Sequence, residues 1–597
     1  MKKFFKYTLA TIVGIIIFNI IGFLFWIILL VSMTSSDTVI VKDNSILKIT
    51  LGNLIQDRAS TNPLDNFDLM SMTNVKSSGL NKIIENIEKA GKDDRIKGIY
   101  LELTDINANF GGMASTEEIR NALKEFKKSG KFIYSYTNLG YSQKAYFLAS
   151  VADSIFVNPE TPLGLVGLSS QNIFFKNVLD KLGVKSEVVK VGKYKSAVEP
   201  FLQTSMSKEN REQVQKYLNS TWNTMLAGIS EGRNISVEEL NKIADNFDMR
   251  MPQDEAKLGL FDGVIYEDEI IDFLKDKCGV DTDKKLSYVD LDDYVNAPLT
   301  NDDKKFSKDK IAVLYAAGDI VMEQSNTTIG VDFAKTVREA RQDKNVKAIV
   351  MRVNSPGGSV LTSDIIWREV KLAAKEKPFI VSMGNVAASG GYYISCPATV
   401  IVADPTTLTG SIGVFGLLFS GEKLIKDKIG ITSEVVKTNE HGDFGGVAFL
   451  GGLSDRSFTD YERNVMQNYV NNTYDSFLSK VSEGRGMTKE AVHEIAQGRV
   501  WTGEDAIKIG LVDTLGGLND AIKIAADKAG LTEYRITELP TEKSPFEEIF
   551  SNFSASVKGK MLKEELGVYY DAYRQLNEFA KLPQGVLARM PYNMTIE

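Results

Sequence analysis

The sequence predicts an α/β protein made by tandem duplication and preceded by one N-terminal transmembrane helix. Three observations carry this. Short apolar runs of β type alternate with amphipathic helical runs, an order that belongs to parallel sheets covered by helices. Most of the chain repeats itself at a shift of about 250 residues, and a long-period repeat decides an architecture before its elements do. Near the start, residues 8–33 contain no charged side chain.

The N-terminal run is about 39 Å long as a helix, at about 1.5 Å per residue, against a hydrocarbon core of about 30 Å. Lys2, Lys3 and Lys6 precede it, so the positive-inside rule keeps the short N-terminus in the cytoplasm. Residues 1–36 are thus read as cytoplasmic N-terminus and anchor, with the lipid bilayer as partner of 8–33 and the rest outside the cytoplasm. A cleaved signal peptide is the alternative, but the run is too long for its apolar core and no clear small-x-small site follows.

The copies span about 45–300 and 308–540. Ser186-Glu-Val-Val-Lys190 returns letter for letter as Ser433-Glu-Val-Val-Lys437, and Ser230-Glu-Gly-Arg233 as Ser482-Glu-Gly-Arg485. Arg95-Ile-Lys-Gly-Ile-Tyr100 parallels Asn345-Val-Lys-Ala-Ile-Val350, and Glu255-Ala-Lys-Leu-Gly-Leu260 resembles Asp505-Ala-Ile-Lys-Ile-Gly-Leu511. Four matches in one order are not chance. The polar stretch 301–309 is the seam. In the second copy, 310–315, 348–353, 379–383 and 399–403 read as strands, with helices at 333–341 and 363–375. Residues 541–597 have no counterpart in the first copy. Helical spacing at 546–553 and 557–576 predicts a C-terminal helical tail.

Composition narrows the function. A chain of 597 residues exceeds one core. A net charge of −8 opposes nucleic-acid binding. Cys278 and Cys396 are too few for a disulfide framework, and Cys396 reads as a small buried hydrophobe. No His, Cys and carboxylate cluster at ligand spacing and no phosphate loop occurs, so neither metal nor cofactor is expected.

The chemistry centres on Asn385-Val-Ala-Ala-Ser-Gly-Gly-Tyr-Tyr393, which follows the strand-like run 378–382. Alanines and glycines leave Ser389 open to an approaching carbonyl, and a helix start there supplies N–H donors and partial positive charge. Ser389 therefore reads as a nucleophile in need of a base. Histidine is the usual one, but only His441 and His493 exist. The first lies in a polar, glycine-flanked loop and the second on an amphipathic helix. The Gly-x-Ser-x-Gly elbow is also missing, since Ala387 stands where its first glycine belongs.

Comparing the copies offers another base. Aligning Asn158-Pro159 with Asp404-Pro405 puts Gln143 opposite Ser389. Aligning the two Ser-Glu-Val-Val-Lys blocks puts Lys195 opposite Gly442. Such reciprocal loss is what a duplicated enzyme would show after dividing one Ser–Lys pair between its halves. Taken alone, Lys195 is one surface lysine among many. Ser205-Met-Ser-Lys208 spells Ser-x-x-Lys without companion motifs and is read as chance.

Val353-Asn-Ser-Pro-Gly-Gly-Ser359, Ala387-Ala-Ser-Gly-Gly-Tyr-Tyr393, Leu408-Thr-Gly-Ser-Ile-Gly413 and Tyr194-Lys-Ser-Ala-Val-Glu-Pro-Phe201 resemble the signal peptide peptidase A (protease IV) family in its long, tandem-repeat form. The likeness covers the anchor and both repeats and is weakest in the tail. It implies a serine endopeptidase with Ser389 as nucleophile and Lys195 as general base, and repeats folded like Clp protease and crotonases. It implies further a bacterial cytoplasmic membrane with the catalytic part outside, a homo-oligomeric bowl (a tetramer by resemblance), and cleaved signal peptides as substrates.

A lysine base must be neutral. Bringing its ordinary pKa of about 10.4 down to the neutral range costs about 4 kcal/mol, which burial can supply. Ser411 is the candidate for orienting the amine. Gly357, Gly358 and Gly390 are the candidates for holding the oxyanion through backbone N–H groups. One chain carries both halves, so the dyad is expected within a chain. A crotonase-type acyl-CoA enzyme and a non-catalytic membrane-anchored scaffold are the alternatives.

Overall fold

A computed structural model describes residues 39–299 and 307–541 except 60–66, 69–72, 75–76, 104–110, 162, 247–250, 326 and 450–451, together with 586–590 and scattered positions from 7 to 22. The expected span at 8–33 falls mostly outside the described residues, and so do the expected helices at 546–553 and 557–576. Among the described residues, no helix is long and apolar enough to cross a membrane.

The first repeat builds a six-stranded sheet in the order Gly263–Val264, Ser154–Val157, Phe132–Thr137, Ile96–Glu102, Ser45–Ile49, Tyr288–Asp290. Every pairing in it is parallel. The second builds a sheet along Val500–Thr502, Leu408–Gly410, Phe379–Ala388, Val346–Ser355, Lys310–Ala317, Arg535–Leu539, with Val400–Ala403 and Thr514–Leu515 branching from the Phe379 strand. Here only the Leu408–Val500 edge is antiparallel. Strands of this kind are covered on both faces and therefore read as unbroken apolar runs; Ile349, Val350 and Met351 are fully buried. Asp332–Gln342 and Val360–Glu376, which extend the expected helices at 333–341 and 363–375 by a few residues at most, and Leu518–Ala529 are the covering helices.

A third sheet joins the repeats. Lys185–Val191 from the first repeat lies antiparallel to Val414–Ser420 from the second, from Val191↔Val414 to Lys185↔Ser420. Val586–Arg589 lies antiparallel to the other edge of this system, between Val414–Ser420 and Gly357–Ser359. Val586–Arg589, beyond the two expected helical runs of the tail, is therefore a strand, because two facing sheet edges supply its hydrogen bonds.

The repeats also share buried charge. Arg352 of the second repeat reaches Asp57 at 2.7 Å and Glu118 at 2.5 Å, both from the first. Glu118 in turn accepts from the Leu518 backbone N–H at 2.8 Å. Burial raises the Glu118 carboxyl above its ordinary range while Arg352 pulls it back down. Asn385, four residues before the serine, accepts from the Ser115 N–H at 3.1 Å and donates to its hydroxyl at 2.8 Å.

Candidate active site

Ser389 sits between the strand Phe379–Ala388 and the short helix Gly390–Ser395, at φ 55° and ψ −111°. A non-glycine residue in that region is strained by about 1–3 kcal/mol and needs its surroundings to hold it. They do: the Ser389 N–H donates to the Gly410 carbonyl at 2.8 Å, and its carbonyl accepts from the Tyr393 N–H at 2.8 Å. Small neighbours make the sharp turn possible. A methyl group on Gly391 would come 2.6 Å from the Ser355 carbonyl oxygen.

Lys195 arrives from the other repeat, in the loop that follows the inter-repeat strand. The Tyr194 N–H donates to the Gln497 carbonyl at 3.0 Å, which seats the loop against the second repeat. Gly192 (φ 103°) and Gly498 make this contact close enough: methyl groups there would lie 2.4 Å from Gln497 and 2.6 Å from the Lys195 Cβ. Its Nζ then stands 2.8 Å from the Ser389 Oγ, 3.0 Å from the Ser411 Oγ and 3.1 Å from the Ser411 carbonyl oxygen. Lys195, Ser389 and Ser411 are all fully buried.

Burial, with no carboxylate to oppose it, holds the Lys195 amine well below the ordinary lysine range. A neutral amine has two N–H donors and a lone pair. With Ser411 taking the donors, the lone pair is left to accept the Ser389 hydroxyl proton, which is the geometry a general base needs. Ser411 is itself held at φ 48°, with its N–H donating to the Arg499 carbonyl at 2.7 Å.

Gly357 and Gly358 have φ of 100° and 152°, conformations that favour glycine. A methyl group on Gly357 would fall 2.6 Å from the Gly390 nitrogen and 2.1 Å from the carbonyl oxygen of Ala588. One on Gly390 would come 3.1 Å from that same oxygen. A peptide carbonyl thus lies against the glycine pair beside Ser389. Helix Gly390–Ser395 begins there, with its first N–H groups free of intrahelical partners.

The other candidates lie elsewhere. His441 is exposed and stacks on Tyr461 at 4.5 Å, and the His493 Nδ1 is 3.0 Å from the Tyr474 hydroxyl. Gln143, aligned with Ser389, caps its own repeat: its Oε1 accepts from the Val166 and Gly167 N–H groups at 3.0 Å each. Ser205 and Lys208 are exposed. Both cysteines are buried and free.

Sequence reasoning missed the residues that hold the lysine loop. The Gln213 Nε2 donates to the Tyr194 carbonyl at 3.1 Å and the Ser196 Oγ at 3.0 Å, and its Oε1 accepts from the Val500 N–H at 3.2 Å. Buried Glu199 accepts from the Ser207 Oγ at 2.5 Å and the Asn210 Nδ2 at 2.9 Å. Glu199 lies within the motif that carries Lys195, which was the available signal; nothing in the sequence marks Gln213.

Among the described residues, no three or more His, Cys, Asp or Glu are gathered as metal ligands would be. The profile of peptidase family S49 matches residues 125–281 and 371–532, one segment in each repeat. The chloroplastic serine protease SPPA of Arabidopsis thaliana is 35% identical over 533 residues, covering 87% of this chain and 75% of that protein. Protease 4 of Salmonella typhi is 36% identical over 517 residues, covering 83% and 79%. A putative signal peptide peptidase SppA of Enterococcus faecium is 35% identical over 219 residues, covering 36% and 60%. Similarity at this level along most of the chain sets aside the acyl-CoA and scaffold alternatives: the chain belongs to peptidase family S49 and is a serine peptidase.

Proposed function

We propose that this peptidase degrades cleaved signal peptides with a Ser389/Lys195 dyad whose halves come from repeats 45–300 and 308–540. The observation that carries the reading is the buried amine 2.8 Å from the serine oxygen, with no charge beside it. Lys195 takes the Ser389 proton as Oγ attacks the peptide carbonyl. The oxyanion is held by N–H groups of the Gly357-Gly358 and Gly390 segments. Lys195 then passes its proton to the leaving amine, and water activated by the same nitrogen hydrolyses the acyl-enzyme. Ser411 orients the amine.

Signal peptides as substrates are supported by the name of the Enterococcus relative and by the motifs of both repeats. The same motifs support a Clp protease/crotonase-like ancestry for each repeat. Membrane anchoring through 8–33 on the outer side of a bacterial cytoplasmic membrane is supported by its lack of charge and by the described positions there. Val13, Ile15, Ile17, Phe18 and Ile21 are helical and half or more exposed or nearly so, an apolar surface in want of a cover.

A homo-oligomer is supported by one asymmetry. The pentapeptide at 186–190 is a paired strand, while its twin at 433–437 belongs to no strand and leaves Val436 95% exposed. Residues 168–174, which correspond to Val414–Ser420, are also outside any strand. Pairing 433–437 of one chain with 168–174 of the next repeats between chains the contact made within each. Such head-to-tail contacts form a ring where the rotation closes; a tetramer is the count the resemblance favours.

The test is peptide hydrolysis by Ser389→Ala and Lys195→Ala proteins, alone and co-assembled. Each should be inactive, and mixing should not restore activity, since one chain brings both atoms together. Full activity in the Lys195 variant would remove the base, and in the Ser389 variant the nucleophile.

A further inference from the structure

One short segment of the second repeat touches every part of the dyad. Val500–Thr502 is the edge strand that pairs antiparallel with Leu408–Gly410, with Val500 opposite Gly410, and the Gly410 carbonyl accepts from the Ser389 N–H. The three residues before that strand, Gln497-Gly498-Arg499, reach the other members. The Gln497 carbonyl accepts from the Tyr194 N–H at 3.0 Å, next to Lys195. The Gly498 N–H donates to the Ile412 carbonyl at 2.8 Å, and the Arg499 carbonyl accepts from the Ser411 N–H at 2.7 Å. The base and the hydroxyl that orients it thus hang on carbonyls two residues apart.

Such a segment sets a position only if it is itself held. Gln497 stands at φ 55°, a conformation that a non-glycine residue keeps only where its surroundings impose it. Tyr474, a buried residue of helix Asp460–Arg485, supplies one constraint. Its hydroxyl accepts from the Gln497 N–H at 3.2 Å and lies 3.0 Å from the His493 Nδ1. At the other end the Arg499 guanidinium lies over two rings, its Cζ 4.7 Å from the centre of Tyr194 and 4.5 Å from that of Trp501. Its Nη1 donates to the Tyr194 hydroxyl at 3.1 Å, and its Nη2 to the Glu212 Oε1 at 2.8 Å. Tyr194 and Glu212 belong to the first repeat, so this side chain ties the lysine loop across the repeat boundary. A planar guanidinium suits that task, because it stacks and forks its hydrogen bonds at once.

We propose that Tyr474 and Arg499 are positioning residues for Lys195: they fix Gln497-Gly498-Arg499 from both ends, and that segment sets where the amine stands between Ser389 and Ser411. This rests on the dyad reading and adds two side chains that carry no proton in the reaction. Their loss acts in two ways. The amine drifts from the Ser389 Oγ, and a displacement of about 1 Å is enough to cost about 100-fold in rate. The loosened contact also admits water, and less desolvation returns a lysine pKa toward its ordinary value.

Tyr474→Phe and Arg499→Met, made singly in the full chain, should lower kcat on a quenched fluorogenic peptide of leucine and alanine by about 10- to 100-fold, with KM within about twofold. In each, the pH at which kcat/KM levels off should rise by about one unit, and the rate of Ser389 labelling by a fluorophosphonate should follow the same displaced profile. Arg499→Lys keeps a cation beside Glu212 and the rings and should lose less than Arg499→Met. Arg233→Met is the control for stability alone. It removes an arginine that reaches Asp262 at 2.8 Å and the Gly259 carbonyl at 3.0 Å, about 30 Å along helix Lys208–Arg233 from Gln213. It should lower stability in denaturant and leave the plateau pH in place. Wild-type kcat in Tyr474→Phe and Arg499→Met, an unmoved plateau, no advantage for Arg499→Lys, or an equal shift in Arg233→Met would each overturn the proposal. Labelling of Lys195→Met at the wild-type rate would instead overturn the dyad reading, so the two failures are distinct.

Discussion

Raising the pH should increase both the activity and the stability of this protein through one group, Lys195, and Lys195→Met should remove both effects. The amine is fully buried beside two hydroxyls and a carbonyl, so burial depresses its folded-state pKa below the ordinary value of about 10.4. Since only the neutral amine is a base, kcat/KM should rise about tenfold per pH unit below the folded-state pKa and level off above it. The stability effect has a definite sign. Between the folded and unfolded pKa values the unfolded chain binds a proton that the folded one does not, so stability rises with pH by up to about 1.4 kcal/mol per unit. Below the folded pKa both states are protonated and the slope vanishes. Methionine has similar length and no proton, so the slope should be missing from the variant, whose hydrolysis should fall by about 10²–10⁴-fold. The assay is kcat/KM from pH 5 to 10, with denaturant unfolding of both proteins at each pH. The wild-type-minus-variant stability difference should grow with pH over the window where activity approaches its plateau and above. A difference independent of pH, or one that shrinks as pH rises, would refute the reasoning.

Gly357→Ala places a methyl 2.6 Å from the Gly390 nitrogen at a φ of 100°; kcat should fall about 100-fold or more as the donors are displaced, with the circular dichroism of the fold kept. Arg352→Met strands Asp57 and Glu118 as buried carboxylates without their cation, which should destabilise by about 3–5 kcal/mol in denaturant unfolding. That deficit should shrink as pH falls, because burial already raises the Glu118 carboxyl and protonation relieves the charge. Val436→Asp puts a charge at the exposed twin of the inter-repeat strand and should reduce the particle mass seen by sedimentation, leaving the monomer's fold intact.

The alternation of strands and helices was legible because it is a local property: parallel strands covered on both faces must be apolar throughout, as Ile349, Val350 and Met351 are. The pairing of Lys195 with Ser389 was legible by setting one repeat against the other and from the resemblance of the Tyr194–Phe201 motif; composition and periodicity within 191–200 do not distinguish a buried amine from a surface one. What stayed hidden depends on partners distant in sequence. The same five letters form a strand at 186–190 and none at 433–437, because Val414–Ser420 meets only the first set within one chain. Val586–Arg589 was hidden for the same reason: four residues bring too little pattern of their own to outweigh the helical spacing before them, and their order comes from Gly357–Ser359 and Phe415.

This dependence on distant partners bears on the chemistry. The Lys195 loop is closed by the Gln497 carbonyl and by Gly413 and Gly498, where added methyls would come within 3.3 Å and 2.6 Å of the lysine side chain. All three belong to the second repeat. Without those contacts the amine would be solvated, with the ordinary lysine pKa of about 10.4, and Ser389 would have no base. Docking buries the amine and lowers its pKa, so under the dyad reading the nucleophile is activated by the same packing that completes the fold. An enzyme with both residues in one repeat would lack that coupling. Dividing the pair between two copies makes a half-folded chain inert, whatever the local order of its serine loop.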